Sequence, residues 1–219
     1  MPQITDIEPQ KRQKGRFNIY LDGHFAFGID ENVLLKNRLR IAIHLTPVQV
    51  EKIIKESQLN KLIDKAARFL SYRPRSEKEV VDYLRQKIAK QESIKFSQTD
   101  KSPLILAAIA KFKKYQYLND LEFAKWWVQS RLNTRPVGTY LIKTQLQKKG
   151  VSPEIIEEVI TSLPSQIELA KNIAIKKLSK KINQLSPLEF KKKAYRYLLS
   201  RGFDYDTVKE TVANLIKKR

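Results

Sequence analysis

The sequence predicts a mostly all-α protein, an elongated tandem array of three three-helix repeats preceded by a small N-terminal β-hairpin or three-stranded sheet. Alternation of apolar and polar residues is confined to about the first thirty residues. From about residue 58 the apolar spacing is helical to the end, and one segment recurs 52 residues later. The boundaries we expect are 1–57 for the N-terminal β-hairpin and connecting helices, 58–118 for repeat 1, 119–163 for repeat 2 and 164–219 for repeat 3.

The N-terminal region is predicted to form a β-hairpin around Asp22-Gly23. This dipeptide favours the left-handed backbone of a tight two-residue turn, and apolar residues alternate on both sides of it. Because two strands alone are marginal in water, residues 4–7 are expected to add a third strand. Thr46-Pro47 then has the pattern of an N-cap and first helical residue. The alternating apolar residues are Phe17, Ile19 and Leu21 before the turn, and Phe25, Phe27 and Ile29 after it.

Repeats 2 and 3 share one order of physical roles. An apolar anchor precedes a glycine suited to the left-handed position that ends a helix, then an apolar residue and an N-cap oxygen. An acid follows at the start of the next helix, with two apolar positions four residues apart. The corresponding residues are Leu146, Gly150, Val151, Ser152, Glu154, Ile156 and Ile160 in repeat 2, and Leu198, Gly202, Phe203, Asp204, Asp206, Val208 and Val212 in repeat 3.

Repeat 1 carries a more degraded copy of the same pattern. Ser76 and Glu79 form a capping box that opens one helix, and Ser102-Pro103 opens the next. Ile88 stands where the other repeats have glycine, and the polar residues 91–101 predict a longer connection. The expected buried faces are Val80, Leu84 and Ile88 in the first of these helices, and Ile105, Ala108, Ile109 and Phe112 in the second.

No enzyme site is visible in the sequence. The absence of cysteine excludes disulfides, thiolate zinc sites and cysteine nucleophiles. His24 and His44 lack the neighbouring partners that metal ligation or base catalysis requires, and no P-loop motif is present. We therefore expect no catalytic residue, no cofactor and no metal. Residues 1–15 contain no signal-peptide core and no run approaches the ~20 apolar residues of a membrane span, so we expect a cytoplasmic protein.

The charge of the chain indicates a polyanionic partner. The formal net charge is +20, which suits DNA, RNA, an anionic membrane surface or an acidic protein. Residues 1–60 carry +2, residues 61–118 carry +8, residues 119–163 carry +1 and residues 164–219 carry +9. Repeats 1 and 3 therefore hold nearly all of the excess, while the middle repeat is almost neutral and contains both tryptophans.

Two further features are candidates for contact with a partner. Trp127 shares a helix face with Phe123 and is expected in the core, whereas Trp126, about 100° around the helix, is expected to be partly exposed and able to stack on bases. The basic runs Lys176-Lys177 and Lys191-Lys192-Lys193 are ordinarily solvated helix faces. Only the summed positive charge of these basic residues argues for a function.

Several motifs, in this order, resemble the successive signatures of the RecX family, over about residues 58–218. The resemblance implies tandem three-helix repeats and a non-enzymatic regulator that binds RecA and its filament on single-stranded DNA. It further implies restraint of filament growth, strand exchange, ATP hydrolysis and co-protease activity, with no membrane partner. The motifs are ARFLSYRPRS at residues 67–76 with Glu79 and Leu84; Tyr117-Leu118-Asn119-Asp120 with Phe123-Ala124; Arg131, Arg135, Gly138, Leu146, Lys149 and Gly150; and Arg201-Gly202-Phe203.

The basic residues at the motif positions have side chains suited to carboxylate or phosphate. The alternative for each arginine is that it only caps or bridges helices. The alternative for the whole chain is a DNA- or RNA-binding helical module with no recombinase partner. In either case we expect a monomer. The candidate contact residues are Arg73, Arg75, Arg131, Arg135, Lys149 and Arg201, with Lys176, Lys177, Lys191, Lys192, Lys193 and Trp126.

Overall fold

The computed structural model describes residues 1–11, 13–99, 102–182 and 185–217, except for the side chains of residues 179–182. The chain divides into two compact units. Unit 1 consists of Met1–Arg73 and Val80–Tyr117, and unit 2 consists of Pro74–Glu79 and Leu118–Arg219.

Unit 1 begins with a three-stranded antiparallel sheet in the order β1-β2-β3. The strands are β1 (Ile4–Pro9), β2 (Arg16–Leu21) and β3 (His24–Asp30). Asp22 and Gly23 both have positive φ, at 48° and 82°, as a two-residue hairpin turn with the twist of its strands requires. The predicted hairpin and third strand are therefore confirmed.

The alternation predicted for β3 breaks at a bulge. Ile19 pairs with Phe27, but the next residue, Tyr20, pairs with Phe25, so Ala26 is the extra residue. One inserted residue moves a side chain to the opposite face of a sheet. Phe25 is consequently 60% exposed and meets the Tyr20 ring edge to face at 6.0 Å, while Phe27 is buried. The expectation that Phe25 continues the face of Phe27 and Ile29 was wrong.

Four helices follow among the described residues of this region, and those predicted to start after Thr46, Ser76 and Ser102 do so. They are α1 (Glu31–Lys36), α2 (Pro47–Ser71), α3 (Glu77–Glu92) and α4 (Pro103–Lys114), with a 3₁₀ turn at Phe96–Thr99. Thr46 and Gln49 close a capping box on α2. Because α2 runs unbroken from residue 47 to residue 71, the division expected between residues 57 and 58 falls inside this helix.

Repeat 1 shows why its pattern is degraded. Ser76 and Glu79 exchange the two hydrogen bonds of the capping box, at 3.4 and 3.2 Å, and Ile88 is buried as expected. Ile88 does not replace a helix-ending glycine, however, because α3 continues four residues further to Glu92. Ser93 then takes the left-handed conformation, with φ of 55°. The glycine position of repeat 1 is thus displaced along a longer helix.

Unit 2 contains two groups of three helices, each closed on its own core. Phe123 and Ile142 are fully buried in repeat 2, and Phe190 and Leu198 in repeat 3. Burial of such side chains stabilises each group by roughly 1.5–3 kcal/mol per residue. The helices are α5 (Asp120–Thr134), α6 (Thr139–Lys148) and α7 (Pro153–Thr161) in repeat 2, and α8 (Gln166–Ile182), α9 (Pro187–Ser200) and α10 (Tyr205–Lys217) in repeat 3.

The glycines that end α6 and α9 have the predicted left-handed backbone. Gly150 has φ of 80° and Gly202 has φ of 79°. At the first, the N–H of Val151 donates to Leu146 O at 3.2 Å and the N–H of Gly150 donates to Gln147 O at 2.9 Å. This pair of bonds is the Schellman motif, and the same two bonds recur at Gly202. The alignment of repeats 2 and 3 is confirmed at its central position.

Within unit 2, the residue that precedes the second helix of one repeat packs on the glycine turn of the next. The Oγ of Ser76 donates to the carbonyl oxygen of Lys149 at 2.7 Å. The N–H of Gly138 donates to the carbonyl oxygen of Arg201 at 2.9 Å. A Cβ on Gly138 would lie 2.3 Å from the carbonyl oxygen of Gly202, so only glycine fits there. We call these two contacts the repeat junctions.

Candidate nucleic-acid interface

A cleft of about 530 Å³ lies in unit 2, where the C-terminal end of α5 and the segment after it face α8 and the C-terminal end of α9. We call it the basic cleft. It brings together four of the residues that the sequence nominated: Arg135, Lys176, Lys177 and Arg201. The residues that line it are Leu132, Asn133, Thr134, Arg135 and Pro136, then Leu169, Asn172, Ile173, Lys176 and Lys177, and finally Tyr197 and Arg201.

The electrostatics of the basic cleft are one-sided. Four cations line it, and among the described residues no aspartate or glutamate does. Walls of one charge sign concentrate the field in a concave site and favour an anionic ligand. Neutral donors and acceptors, such as the amides of Asn133 and Asn172, add polar groups beside the cations.

Helical spacing explains how α8 contributes to this cleft. Leu169, Ile173 and Lys176 stand at i, i+4 and i+7, so they share one face of the helix. Ala174 and Leu178 lie on another face and are buried in the core of repeat 3. From α8 the cleft therefore receives the apolar side chains of Leu169 and Ile173 together with two lysines.

The guanidinium of Arg201 is held by a neighbouring aromatic ring. Arg201 is the C-cap of α9, and its guanidinium carbon lies 5.2 Å from the centroid of the Tyr197 ring. Such a cation–π contact contributes about 0.5–1 kcal/mol at a partly exposed site. The Arg201 main chain is fixed by the repeat junction, while its side chain lines the cleft. A planar guanidinium held in this way suits bidentate recognition of phosphate or carboxylate.

Lys149 occupies the position equivalent to Arg201 but has a different environment. Its Nζ lies 2.5 Å from Glu79 Oε1, and the two side chains are only 21% and 18% exposed. In the second repeat junction Leu141 stands at the helix position that Glu79 holds in the first. An internal carboxylate therefore neutralises Lys149. Among the described residues that line the cleft, no carboxylate does the same for Arg201. Lys149 stabilises a junction, and its role in binding stays a prediction.

Two cations lie close to the ring of Trp127. The guanidinium carbon of Arg131 and the Nζ of Lys149 are each 4.4 Å from a Trp127 ring centroid. The indole N–H of Trp127 donates to Gln145 Oε1 at 3.2 Å. Arg131 thus packs on repeat 2 and does not line the basic cleft.

Trp126 is half-buried, as is Trp127, and both pack against the core of repeat 2. The Trp126 ring centroid is 6.1 Å from that of Phe123 and 6.3 Å from that of Trp127. Removal of Trp126 would therefore disturb packing as well as any surface contact. Trp126 stays a candidate contact residue only through its exposed part.

The other nominated residues lie outside the basic cleft. Arg73 and Arg75 are half-buried on either side of Pro74 and have contacts of their own. The lysines at 191, 192 and 193 are exposed on α9, and the Lys191 ammonium lies 5.9 Å from the centroid of the Tyr195 ring. Sequence reasoning missed the cleft residues Asn133, Asn172 and Tyr197. Helical spacing was the available signal for two of them: Asn172 is three residues after Leu169 on α8, and Tyr197 is four residues before Arg201 on α9.

The described part of the chain offers no metal site and no membrane span. It contains no cluster of three or more histidine, aspartate or glutamate side chains arranged to hold an ion. None of its helices has the length and apolar character needed to cross a bilayer. His24 and His44 are both exposed.

Comparison with known proteins covers most of the chain. Four family models match: the regulatory protein RecX N-terminal domain at residues 2–43, and the first, second and third three-helix domains of RecX at residues 63–95, 119–160 and 165–212. Regulatory protein RecX of Bacillus subtilis (strain 168) is 34% identical over 209 residues, which are 95% of this chain and 75% of the relative. That of Listeria monocytogenes serotype 4b (strain F2365) is also 34% identical, over 94% of this chain and 73% of the relative.

Solved structures agree with these matches. A crystal structure of regulatory protein RecX superposes with a TM-score of 0.70 at 28% identity and covers 100% of both chains. The crystal structure of RecX from Lactobacillus salivarius gives a TM-score of 0.60 at 27% identity, over 74% of this chain and 97% of that one. From its sequence, its three-helix domains and its structural neighbours, this chain belongs to the RecX family of regulatory proteins.

Proposed function

We propose that this chain binds RecA and the RecA filament on single-stranded DNA, and that it inhibits recombinase, ATPase and co-protease activity without catalysing a reaction itself. Membership of a family of regulatory proteins is the observation that carries this proposal. We further propose that the protein is a cytoplasmic monomer and that it acts in the regulation of DNA repair and the SOS response.

The basic cleft supports a role for polyanionic contact in this function. A filament on single-stranded DNA offers phosphates, and a protein surface offers carboxylates. Both ligands suit the guanidinium groups of Arg135 and Arg201, and the ammonium groups of Lys176 and Lys177 add unspecific attraction. The apolar side chains of Leu132, Leu169 and Ile173 in the lining would exclude water from such a contact.

The central experiment measures assembly of RecA on single-stranded DNA with and without the full chain. We expect less filament and slower ATP hydrolysis when the wild-type protein is added. Lys176→Gln/Lys177→Gln should weaken this effect several-fold, since it removes two cleft cations from exposed positions. Lys209→Gln/Lys217→Gln on α10 removes the same charge elsewhere in unit 2 and should act like wild type. Filament assembly unchanged by the wild-type protein would overturn the proposal.

A second measurement separates this proposal from a nucleic-acid-binding module without a recombinase partner. The chain is sedimented with RecA in the absence of DNA. Co-sedimentation supports direct binding to RecA. If the chain sediments only when DNA is present, and naked DNA carries it equally well, then the nucleic-acid module is the better description.

A further inference from the structure

Unit 1 contains a larger pocket, of about 850 Å³, that the regulatory proposal does not use. We call it the N-terminal pocket. The segment before β2, the junction of β3 with α1 and one face of α2 enclose it. The residues that line it are Gln10, Gln13, Lys14, Gly15 and Arg16, then Asp30, Glu31 and Asn32, and then Lys61, Asp64, Lys65, Arg68 and Gln91.

Five cations converge on this pocket from separate segments. Lys61, Lys65 and Arg68 stand at i, i+4 and i+7, so α2 directs all three from one face. Lys14 and Arg16 come from a second segment, Lys14 before β2 and Arg16 as its first residue. In the part of the chain that the structure describes, none of the five forms an ion pair with a carboxylate.

The three acidic residues in the lining are outnumbered by the five cations, although the charge of Asp30 offsets part of the lowering of the Lys61 pKa. Asp30 is the N-cap of α1, where its Oδ1 accepts from Val33 N at 3.0 Å, and Asn60 Nδ2 donates to its Oδ2 at 3.2 Å. Its carboxylate is therefore engaged by neutral donors. Glu31 and Asp64 are exposed to solvent. The pocket thus retains an excess of positive charge.

Burial and then nearby like charges lower the pKa of two of the lysines. Burial, followed by the charges of Arg16 and Lys65, lowers the pKa of Lys61. Burial, followed by the charge of Lys87, lowers the pKa of Lys65. Both ammonium groups would gain from an added negative charge, since a nearby opposite charge favours the protonated form.

We propose that the N-terminal pocket binds consecutive phosphate groups, either of a single nucleic-acid strand or of a free polyphosphate. Five cations spread over about 850 Å³ exceed what one carboxylate needs, and lysine and arginine present only donors. Arg16 is oriented by a bond from its Nη2 to Gly28 O at 3.3 Å, which leaves other guanidinium donors for a ligand. The proposal requires no contact with RecA.

The test uses the full chain and two probes, a labelled oligothymidylate and inorganic tripolyphosphate. Lys61→Gln/Lys65→Gln removes the two lysines whose pKa is lowered, and Lys52→Gln/Lys55→Gln is the matched control on α2 outside the pocket. Each phosphate contact on a single strand adds about 0.7 to the slope of log affinity against log salt. We therefore expect the pocket variant to bind oligothymidylate about tenfold more weakly than wild type at low salt. The affinity of the control variant should change less than about twofold.

The two sources of phosphate give different results. If the strand is the ligand, the pocket variant loses affinity for oligothymidylate, and tripolyphosphate competes. If free polyphosphate is the ligand, only tripolyphosphate affinity falls. Equal affinities of wild-type and pocket-variant proteins for both probes would overturn the proposal, as would an equal loss in the control.

Two further variants keep the result interpretable. Lys14→Gln/Arg68→Gln changes only exposed side chains, one from each segment, so it should lower affinity for phosphate without disturbing the fold. Lys176→Gln/Lys177→Gln in the basic cleft should retain tripolyphosphate binding. A pocket variant that loses phosphate binding but still restrains RecA assembly would support the pocket and leave the regulatory proposal standing. A pocket variant that binds both phosphate probes like wild type but no longer restrains RecA assembly would reject only the proposal of phosphate binding in the pocket.

Discussion

The backbone N–H of Gly138 donates to the carbonyl oxygen of Arg201 at 2.9 Å, and this bond joins the start of α6 to the end of α9. The earlier junction uses the Ser76 hydroxyl and the Lys149 carbonyl in the same way. Each junction fixes the main chain of a C-cap cation. Only in the second does that cation line the basic cleft. The cation of the first junction, Lys149, forms an ion pair with Glu79.

Gly138→Ala should destabilise the second junction. The new Cβ would lie 2.3 Å from a backbone oxygen of Gly202, which no side-chain rotation can relieve. Overpacking of this kind costs about 1–3 kcal/mol. Gly28→Ala is the control, because the one close contact of its Cβ would be the flexible end of the Gln10 side chain at 2.7 Å, while its nearest backbone atom would lie at 3.6 Å. Denaturant unfolding measures the free energy of unfolding of both variants. An equal loss of stability in Gly138→Ala and Gly28→Ala would show that the junction is not tightly packed.

Gly202→Val should cost more than backbone strain alone. A β-branched residue at φ of 79° is strained by about 1–2 kcal/mol. A Cβ there would also lie 2.5 Å from Leu141 Cγ. Comparison of Gly202→Ala with Gly15→Ala separates the two effects, since Gly15 has φ of 74° with no atom within 4 Å. Unchanged melting of Gly202→Val would contradict the repeat alignment.

Lys149 and Glu79 should show a measurable coupling energy. Their side chains are about four-fifths buried, so the pair lies between surface ion pairs and fully buried ones. We expect about 1 kcal/mol from a double-mutant cycle with Glu79→Gln and Lys149→Met. Glutamine keeps the capping bond to Ser76. A coupling near zero would mean that solvent screens the pair. Lys149→Met should leave DNA affinity within about twofold of wild type.

Salt should distinguish the exposed lysines from the rest of the binding surface. Affinity for bare single-stranded DNA should fall roughly tenfold or more between about 50 and about 200 mM salt. Replacement of Lys191, Lys192 and Lys193 by glutamine should weaken filament binding mainly at low salt, because these side chains are exposed. A loss that is equal at low and high salt would contradict a screened, long-range role. Trp126→Ala needs a parallel folding measurement, since that ring packs on the core.

The N-cap of α10 should make stability depend on pH. Hydrogen bonds from the Thr207 hydroxyl and then from its N–H lower the pKa of Asp204, at 2.7 and 2.8 Å. A lowered folded-state pKa gives stability that is present above about pH 4 and lost as pH falls through the folded-state value. Wild type should therefore lose its melting advantage over Asp204→Asn in acid. Asp206→Asn is the control, because it leaves the cap intact. A constant difference between wild type and Asp204→Asn would contradict this account.

The basic cleft could be predicted only in part. The sequence nominated Arg135, Lys176, Lys177 and Arg201, but it gave no reason to group them or to separate them from Lys149. The repeat alignment places Lys149 and Arg201 at equivalent positions, but Lys149 is paired with Glu79. The third residue of α6, Leu141, stands at the helix position of Glu79 and has no charge to offer Arg201. Glu79 and Leu141 are each about sixty to seventy residues away from these cations in the chain. Local patterns do not report which distant side chain stands at that position.

The sequence by itself determined the features that short-range physics controls. The Asp22-Gly23 turn, the helix starts at Thr46 and Ser76 and the left-handed glycines 150 and 202 depend on backbone conformation and on bonds within a few residues. Only the tertiary structure decided the bulge at Ala26, the convergence of four cations in the basic cleft and the five around the N-terminal pocket. These arrangements depend on how separate segments pack, and packing is set by contacts across the whole chain.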